Sequence, residues 1–265
     1  MPVQKTHAIV IRSFSLGEYD KIITLYTANF GKVRAVARGS RRPKNRFGGS
    51  LELFNCGMLV FFERPHKDLQ IINNFDLIDA FDRIKADFDR TAYACYLAEL
   101  VDSIESEHSA DENIFNLLRY GFNTLGEVDD LRLLARAFEL KFLDLAGYAP
   151  QLSHCVVCDL PTENQTLHFS PRLGGLLCAD CLGMDTDSRS IVRGSCELMK
   201  HLRKSDLAHL NRLRASERNH REIKLVLSRF IAYHTERTLK SLAFIENIEQ
   251  SESLGSDPSP LNFDI

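Results

Sequence analysis

Two pairs of cysteines constrain the fold of this chain more than any other feature of its sequence. Cys155 and Cys158 form one C-x₂-C motif, and Cys178 and Cys181 form a second one after 19 intervening residues. Two such motifs at this separation can place four thiolates around one Zn²⁺, with each sulfur about 2.3 Å from the metal. Disulfides or a redox-active pair are the alternative, but disulfides need an oxidising environment that nothing else in the sequence indicates. We therefore predict a zinc-finger module over residues 151–187.

The composition is typical of a globular protein without a membrane segment. The 265 residues are 44% hydrophobic and 26% charged, and a chain of this length can form two or three domains. No stretch approaches the roughly 18 uninterrupted apolar residues of a membrane helix, and the N-terminus lacks the apolar core of a signal peptide. The other cysteines, Cys56, Cys95 and Cys196, have apolar or helical neighbours and are predicted to be core residues. We expect a cytoplasmic protein with no membrane partner.

The first eighty residues have the pattern of β-structure. Five segments rich in β-branched and apolar residues are separated by glycines and a proline, as expected for short strands joined by turns. Five strands in about 75 residues fit a small closed barrel, which leaves no sheet edge exposed. We predict an OB-fold barrel over residues 1–82, with an open meander or an SH3-like barrel as the alternative. The predicted strands are 7–14, 20–27, 32–38, 51–63 and 69–78.

The hydrophobic period changes to that of helices from about residue 83. Asp111 is a plausible N-cap for one helix, Gly147 follows the end of another, and Ser195 is predicted to cap a third. The whole chain is therefore predicted to be an α+β multidomain protein, with an α-helical bundle (83–150 and 188–248) into which the cysteine module is inserted. The polar, Ser- and Pro-rich residues 249–265 are predicted to be a flexible tail. The predicted helices are 87–105, 111–125, 129–146, one that begins near Ser195, and 216–243.

Charges of the two signs are segregated along the chain, although the net charge is only −3. Residues 1–82 carry 12 Lys and Arg against 8 Asp and Glu, whereas residues 83–154 carry 7 against 13. Residues 200–240 are basic again, with 11 against 4. Such segregation favours different partners for different faces.

The strongest functional signal is the segment 31–46, which contains seven cations and no acid. Apolar and basic residues alternate over 32–38, as in a strand, and the following residues have the Gly and Pro of a loop. A barrel face continued by a basic loop can follow a phosphate backbone while the barrel offers surfaces for stacking. A solvated, solubilising loop is the alternative, but the absence of acids favours nucleic acid. The predicted DNA-binding residues are Lys32, Arg34, Arg38, Arg41, Arg42, Lys44 and Arg46.

Eight aromatic side chains of the predicted barrel are candidates for stacking on bases. Most must form the core, and Phe47 is the best candidate because a loop tip offers it little to pack against. A second basic zone lies in residues 200–229, where Arg214, Arg218 and Arg221 follow helical spacing if one helix covers them. This zone would either extend a nucleic-acid surface or pair with the acidic middle of the chain. The eight aromatics are Phe14, Tyr19, Tyr26, Phe30, Phe47, Phe54, Phe61 and Phe62.

The sequence offers no catalytic residues. It contains no phosphate-binding G-x-x-x-x-G-K-[ST] loop, no G-x-G-x-x-G, no G-x-S-x-G and no H-E-x-x-H. Catalytic zinc typically keeps an open position for water, whereas four cysteines complete the coordination shell. His154 and His168 flank the cysteine motifs and are expected to be surface residues or neighbours of the ligands. We expect a protein that is not an enzyme and has no small-molecule substrate.

Several motifs together resemble the RecO family of bacterial DNA repair proteins. They are AIVIRSFSLGEYDKIITLYTANFGKVRAVARGSRR, GSLELFN, RAFELKFLDLAGYAPQLSHCVVC, FSPRLGGLLCADC and ERTLKSLAFI, in this order from residue 7 to about 245. The resemblance implies an OB-fold, a helical domain and a zinc-finger-like insertion. It also implies binding of single- and double-stranded DNA, annealing of complementary strands, and loading of RecA with RecR in the RecF pathway. By resemblance, the basic residues 32–42 belong to the DNA-binding strand and loop, and the four cysteines match the zinc ligands of those members that have them.

The resemblance further implies that the helical domain docks the acidic C-terminal tail of single-strand-binding protein. Arg132, Arg136 and Lys141 are candidates for that contact by location alone. Two other functions are considered from the residues themselves: a zinc-dependent nuclease or deaminase, and a transcription or translation factor that joins an OB domain to a zinc ribbon. The first would require metal-dependent turnover of nucleic acid, and the second would require sequence-dependent DNA binding or bound ribosomal RNA. We expect a nucleoid-associated DNA repair mediator.

Overall fold

The computed structural model describes residues 2–65, 67–104, 110–162 and 167–254. The chain divides into two compact units. The barrel unit contains the residues up to Gly126 together with the segment that begins at Lys240, and the metal unit is Glu127–Leu239. The domain boundaries predicted after residues 82, 150, 187 and 248 remain predictions.

Five strands of the barrel unit close into a barrel in the order β1-β2-β3-β5-β4. Neighbouring strands are antiparallel except for β3 and β5, which pair in parallel through Ala35–Gln70 and Val36–Ile71. This is the five-stranded, OB-fold-like barrel predicted from the sequence. The strands are β1 (Val3–Leu16), β2 (Asp20–Thr27), β3 (Gly31–Ala37), β4 (Cys56–Phe62) and β5 (Gln70–Asp79).

Alternate residues of the strands fill the barrel, because successive side chains of a strand point to opposite faces. Ile23, Leu25 and Val33 are among the fully or almost fully buried residues of this core. Residues 51–55, predicted as the start of a strand, instead form turns, and β4 begins only at Cys56. Leu51 packs into the barrel core from this turn segment, so its apolar character reflects burial and not strand pairing.

In the described residues of the barrel unit, four helices accompany the barrel. Asp111 caps one of them as predicted, because its carboxylate accepts a hydrogen bond of 2.7 Å from the backbone N–H of Asn113. Residues 255–265 of the predicted tail lie outside the described residues, whereas residues 249–254 belong to the last helix. The helices are α1 (Asp82–Lys85), α2 (Phe88–Ile104), α3 (Glu112–Leu125) and α7 (Lys240–Leu254).

The metal unit combines three helices with a small antiparallel sheet of order β7-β6-β8. Gly147 follows the end of α4 with φ 82°, the left-handed conformation in which glycine is favoured. The elements are α4 (Leu131–Leu145), β6 (Leu167–Ser170), β7 (Gly175–Leu177), β8 (Arg189–Ile191), α5 (Arg193–Lys204) and α6 (Glu217–Thr235), with 3₁₀ helices at Ala179–Met184 and Leu207–Arg212.

Two predicted helix boundaries in this region are wrong. Ser195 is not a cap, since α5 begins at Arg193 and the Ser195 hydroxyl donates to Glu222 of α6 at 2.8 Å. The predicted helix 216–243 is two helices, because Glu236 adopts a left-handed conformation with φ 51° and ends α6. Within the described residues, no helix is both long enough and apolar enough to cross a membrane.

Candidate nucleic-acid interface and metal centre

Strand β3 carries the first two cations of the basic segment on the outside of the barrel. Val33 and Ala35 point into the core, whereas Lys32 and Arg34 point outward, as the alternation predicts. Arg34 is exposed. The ammonium nitrogen of Lys32 lies 3.0 Å from a carboxylate oxygen of Asp102 on α2 and donates to the Asp102 carbonyl at 2.8 Å. The charge of Lys32 is therefore compensated inside the barrel unit.

The other five cations lie in the turns that follow β3, and the turn between β1 and β2 anchors two of them. The backbone N–H of Arg41 donates to the Tyr19 carbonyl at 3.0 Å, and its guanidinium donates to the Gly17 carbonyl at 2.9 Å. The Arg42 guanidinium lies 5.0 Å from the centre of the Tyr19 ring. Most of the predicted cations are therefore exposed on β3 and in the turns that follow it. The exposed members are Arg34, Arg38, Arg41, Arg42, Lys44 and Arg46.

Phe47 is not the exposed stacking residue that its place in the basic loop suggested. It is 5% exposed and packs into the barrel core with Leu51. The Arg46 guanidinium lies 4.8 Å from its ring centre and donates to the Ile72 carbonyl at 3.0 Å. The loop residues therefore cover one end of the barrel, and the apolar side chain faces inward.

Phe14 and Tyr19 are the exposed aromatic side chains next to the basic segment. Phe14 is 36% exposed and Tyr19 is 50% exposed. The Arg12 guanidinium lies 4.6 Å from the Phe14 ring centre, which repeats the arrangement of Arg42 with Tyr19. A guanidinium on an aromatic ring is attracted to the negative face of the ring. Both aromatic residues were candidates from the sequence.

A row of apolar side chains continues from Phe14 across four strands on the outside of the barrel. Phe14 pairs with Ile22, Ile22 with Val36, and Val36 with Ile71. The last three are partly exposed. Arg34 stands two residues before Val36, so its side chain leaves the same side of the strand. We call the four residues Phe14, Ile22, Val36 and Ile71 the apolar row.

The row is at least partly exposed, whereas helices enclose the neighbouring outer surface. Thr24 and Tyr26 point away from the barrel core, yet they are only 4% and 0% exposed. Helices α2 and α3 contact β1, and α3 also contacts β2. On the outside of β1–β3, the accessible part is therefore the part that carries the apolar row and the basic turns.

The four cysteines form one compact cluster in the metal unit. Their Sγ atoms all lie within 4.8 Å of one another, and Cys158 and Cys178 are 3.7 Å apart. Four sulfurs at about 2.3 Å from a central Zn²⁺ would be roughly 3.8 Å apart at the corners of a tetrahedron. The cluster thus fits a tetrahedral metal ion.

Local backbone geometry brings the two cysteine pairs together. Gly174 turns the chain from β6 into β7 with φ 84°, and β7 leads directly into Cys178. A Cβ atom on Gly175 would lie 2.5 Å from the Gln151 carbonyl oxygen, so only glycine allows this close approach of the segment before Cys155. The two glycines therefore allow the tight return of the chain before Cys178.

The thiol groups differ in acidity. Burial raises the pKa of Cys155, but the backbone N–H groups of Cys158, Cys178 and Val157 stabilise its thiolate and lower the pKa to about 6. The pKa of Cys181 is raised to about 12, chiefly by its hydrogen bond with Cys178. Cys155 therefore ionises more readily than Cys181, and a cation is needed to hold several thiolates at such short distances.

The flanking histidines do not join the cluster. In the described parts of the chain, the only group of three or more Cys, His, Asp or Glu side chains placed to hold a metal consists of the four cysteines. His154 is exposed and His168 is partly exposed on β6. The donor set is thus four sulfurs.

The second basic zone is not one continuous helix. Arg214 precedes the cap Ser216, so the predicted ridge on α6 begins at Arg218. Arg218 pairs with Glu222 at 2.8 Å, whereas Arg221 is exposed. The zone therefore mixes a cation that is paired within the unit with one that projects into solvent.

The three candidate residues on α4 are engaged within the metal unit. Arg132 pairs with Glu217 at 3.1 Å, and the buried Arg136 pairs with Glu139 at 2.7 Å. The Lys141 ammonium donates to a backbone carbonyl of α5 at 3.0 Å, and burial lowers its pKa. A ligand that used these residues would compete with the existing contacts.

The barrel with its exposed cations, the helices and the four-cysteine cluster define a multidomain protein built on an OB-fold-like barrel with a potential metal centre. Residues 1–81 match the family described as "Recombination protein O N terminal", and residues 85–243 match "Recombination protein O C terminal". The chain belongs to the RecO family of DNA repair proteins.

Curated relatives match almost the whole chain. DNA repair protein RecO of Pelotomaculum thermopropionicum is 34% identical over 251 residues, which cover 95% of this chain and 96% of the relative. RecO of Symbiobacterium thermophilum is 35% identical over 254 residues, covering 95% and 100%. RecO of a Roseiflexus species is 34% identical over 248 residues, covering 94% and 87%. DNA recombination and DNA binding follow from membership of this family.

Proposed function

We propose that this protein is a non-enzymatic mediator that binds single- and double-stranded DNA and anneals complementary strands. The observation that carries the proposal is the accessible apolar row of the barrel with exposed arginines beside it. Bases stack on apolar and aromatic surfaces without regard to sequence, and cations follow the phosphates. The interface consists of Phe14, Tyr19, Ile22, Val36 and Ile71 for the bases, and Arg34, Arg38, Arg41, Arg42, Lys44 and Arg46 for the phosphates.

Annealing by such a surface needs no bond chemistry. Cations that neutralise phosphates reduce the repulsion between two strands, while base pairing itself tests the match. The protein would therefore show little sequence preference, strong dependence on salt and no requirement for ATP. The sequence contains no motif for a nucleoside triphosphate, which agrees with this mechanism.

The partners that we propose rest on the resemblance to the family. We propose that the protein acts with RecR to load RecA onto DNA in the RecF pathway, and that it contacts the C-terminal tail of single-strand-binding protein. We also propose that the protein acts at the nucleoid in the cytoplasm, because its proposed substrate is DNA. The motifs shared with the family support these partners.

We propose that the four cysteines hold a structural Zn²⁺. Four sulfurs at tetrahedral spacing complete the coordination shell and leave no position for water, unlike the three-ligand sites of catalytic zinc. The ion would join the two cysteine motifs and so stabilise the small sheet. Metal analysis of the purified protein should give one zinc per chain.

The test of the DNA interface is the triple variant Arg38→Ala, Arg41→Ala and Arg42→Ala. Each lost phosphate contact on single-stranded DNA should make the slope of log K on log salt shallower by about 0.7, hence by about 2 for three contacts. Fluorescence anisotropy with a labelled oligothymidine at several salt concentrations measures both the affinity and the slope.

A second triple variant controls for net charge. Lys204, Arg212 and Lys240 are exposed cations outside the proposed interface, and their replacement by alanine removes the same three charges. The control should bind DNA almost as the wild type does. Equal affinities and slopes for the two triple variants would rule out the barrel surface as the binding site.

A further inference from the structure

A cleft of about 600 Å³ lies in the metal unit, beside the segment that follows the last cysteine. The 3₁₀ helix that starts after Cys178 and the start of β8 form one wall, and the C-terminal half of α6 forms the other. The volume is in the range of small-ligand sites. The side chains that give the cleft its chemistry are Arg172, Met184, Arg189, Arg229 and Tyr233.

Three arginines line the cleft against two acids, of which Asp187 is exposed and Asp185 is partly neutralised. Asp185 is buried, accepts hydrogen bonds from the Ser170 hydroxyl and the Asp187 backbone N–H, and lies 3.8 Å from the Arg172 guanidinium. Arg229 is exposed and makes no ion pair or hydrogen bond within the described parts of the chain. It is thus a cation available to a ligand.

The same cleft offers a surface for an aromatic ligand. Tyr233 is 51% exposed and Met184 is 56% exposed. The Tyr233 ring meets the His234 ring edge-on, with the centroids 5.4 Å apart and the planes at 87°. This contact holds the Tyr233 ring on one side of α6 and leaves much of the side chain open to the cleft. A flat ring can stack there while an anion contacts Arg229.

Further cations lie along the exposed side of α6 beyond the cleft. Arg218, whose guanidinium also pairs with Glu222, and Arg229 are 11 residues apart, which is three helical turns and about 16 Å of axis, so both project from the same side. Leu225, seven residues after Arg218, is exposed between them, and Arg221 lies near the same line. The span exceeds four stacked nucleotide steps of about 3.4 Å. A linear polyanion can therefore contact the cleft and continue along the helix.

We propose that the cleft binds a nucleotide of single-stranded nucleic acid, with the base on Tyr233 and a phosphate at Arg229, and that α6 continues the contact toward Arg218. The metal unit would then hold a strand separately from the barrel unit. This inference rests on the proposed annealing function, since annealing requires a second strand. An acidic peptide would satisfy the arginine but would leave the flat stacking surface unused, and an isolated small molecule would not need the cations along α6.

The experiment uses the full-length barrel variant Arg38→Ala, Arg41→Ala and Arg42→Ala, so that binding outside the barrel can be measured. Adding Arg229→Ala and Tyr233→Ala should lower the remaining affinity for labelled oligothymidine about tenfold or more and reduce the salt slope by about 0.7. In the otherwise wild-type chain, the same two substitutions should slow the annealing of complementary oligonucleotides. Unchanged residual affinity and unchanged annealing would overturn the proposal.

Matched variants separate the cleft from general effects. Tyr233→Phe keeps the ring and should retain binding, whereas Arg212→Ala removes an exposed cation away from the cleft and should have little effect. If the cleft substitutions weaken the binding of an acidic peptide but not of oligothymidine, the cleft is a peptide site and the proposal is wrong. If the barrel triple variant binds as the wild type does, the barrel interface fails, and the cleft substitutions in the wild-type chain still test this proposal.

Photo-crosslinking provides a test that does not depend on the folding of a variant. Wild-type protein is irradiated with an oligonucleotide that contains 5-iodouracil, and the crosslinked peptides are identified by mass spectrometry. A crosslink to Tyr233 or to its neighbours on α6 is expected. Crosslinks confined to barrel peptides would contradict the proposal.

Discussion

The ammonium nitrogen of Lys32 lies 3.0 Å from one carboxylate oxygen of Asp102, and the Arg12 guanidinium lies 3.4 Å from the other oxygen. A single carboxylate on α2 therefore holds two cations of the barrel. The side chain of Lys32 is only 12% exposed, whereas that of Arg12 is 43% exposed. Lys32 is consequently the least accessible of the seven predicted cations, although its sequence context resembles that of Arg34.

Asp102→Asn should strengthen the binding of single-stranded DNA. The amide keeps the size of the side chain but removes the negative charge that competes with phosphate for Lys32 and Arg12. Each cation that gains a phosphate contact should make the slope of log K on log salt steeper by about 0.7. Anisotropy with labelled oligothymidine over a salt series measures the change.

Glu112→Gln is the control for this substitution, because Glu112 is an exposed acid in the first turn of α3 in the same unit. It removes one negative charge without releasing Lys32. If Glu112→Gln strengthens DNA binding as much as Asp102→Asn does, the effect comes from net charge and not from the release of the two cations.

Phe14→Ala and Tyr19→Ala should each weaken the binding of single-stranded DNA with little loss of stability. Both rings are at least one-third exposed beside an arginine, and stacking of one base on an aromatic side chain contributes about 1–3 kcal/mol. The salt slope should change little, because no cation is removed. Binding titrations and thermal unfolding of the same preparations check both parts.

Phe47→Ala is the contrasting variant. Its ring is buried in the barrel core, so the truncation should destabilise the protein by about 3–5 kcal/mol through lost burial and a cavity. A Phe47→Ala protein with wild-type stability and weak DNA binding would show instead that Phe47 contacts the DNA directly.

Local periodicity was sufficient to predict the barrel. The alternation around Val33 is a direct consequence of one face of β3 being buried. The cysteine motifs were equally informative, because a tetrahedral metal fixes both the residue type and the spacing. The four sulfurs accordingly lie within 4.8 Å of one another.

Features that depend on tertiary contacts could not be predicted in this way. Phe47 sits in a polar loop, and its burial follows only from closure of the barrel beneath that loop. The apolar row likewise joins residues of β1, β2, β3 and β5, whose register is set by pairing across the barrel. The break at Glu236 interrupts a continuous apolar period, because a left-handed residue ends a helix without changing the hydrophobic pattern.

Loss of the metal should affect the metal unit before the barrel unit. The apparent binding energy of a structural zinc site is about 10–16 kcal/mol, which is comparable to the whole stability of a domain. Treatment with a strong chelator, or the variant Cys158→Ser, should therefore lower the thermal midpoint of the metal unit. DNA binding by the barrel surface should persist, as measured by anisotropy in the same buffer.

Cys95→Ala is the matched cysteine control, because Cys95 lies on α2 of the barrel unit and is not one of the four clustered cysteines. It should leave the zinc content at one ion per chain. Full zinc content in Cys158→Ser, or a chelator effect confined to DNA binding, would contradict a structural role of the metal.

Glu222 of α6 completes the N-terminus of α5, which has no side-chain cap of its own. One carboxylate oxygen accepts from the Val192 backbone N–H at 3.0 Å and from the Ser195 hydroxyl at 2.8 Å, and the other accepts from Arg218 at 2.8 Å. Burial raises the pKa of Glu222, but these donors outweigh it and hold the pKa below its usual value. The carboxylate therefore stabilises the folded state in its ionised form.

Glu222→Gln should destabilise the protein by about 1.5–3 kcal/mol at neutral pH, the range for hydrogen bonds to a charged group. Because the folded-state pKa is lowered, the contribution of Glu222 is complete above the pKa of the unfolded chain and is lost as the pH falls through the folded-state pKa. Denaturant unfolding from neutral pH down to about pH 3 should thus show a difference between wild type and variant that shrinks in acid.

Glu197→Gln, which removes an exposed partner of Lys200, should cost no more than about 1 kcal/mol. A stability difference for Glu222→Gln that stays constant down to acid pH would show that shape, and not the ionised carboxylate, holds α5 and α6 together.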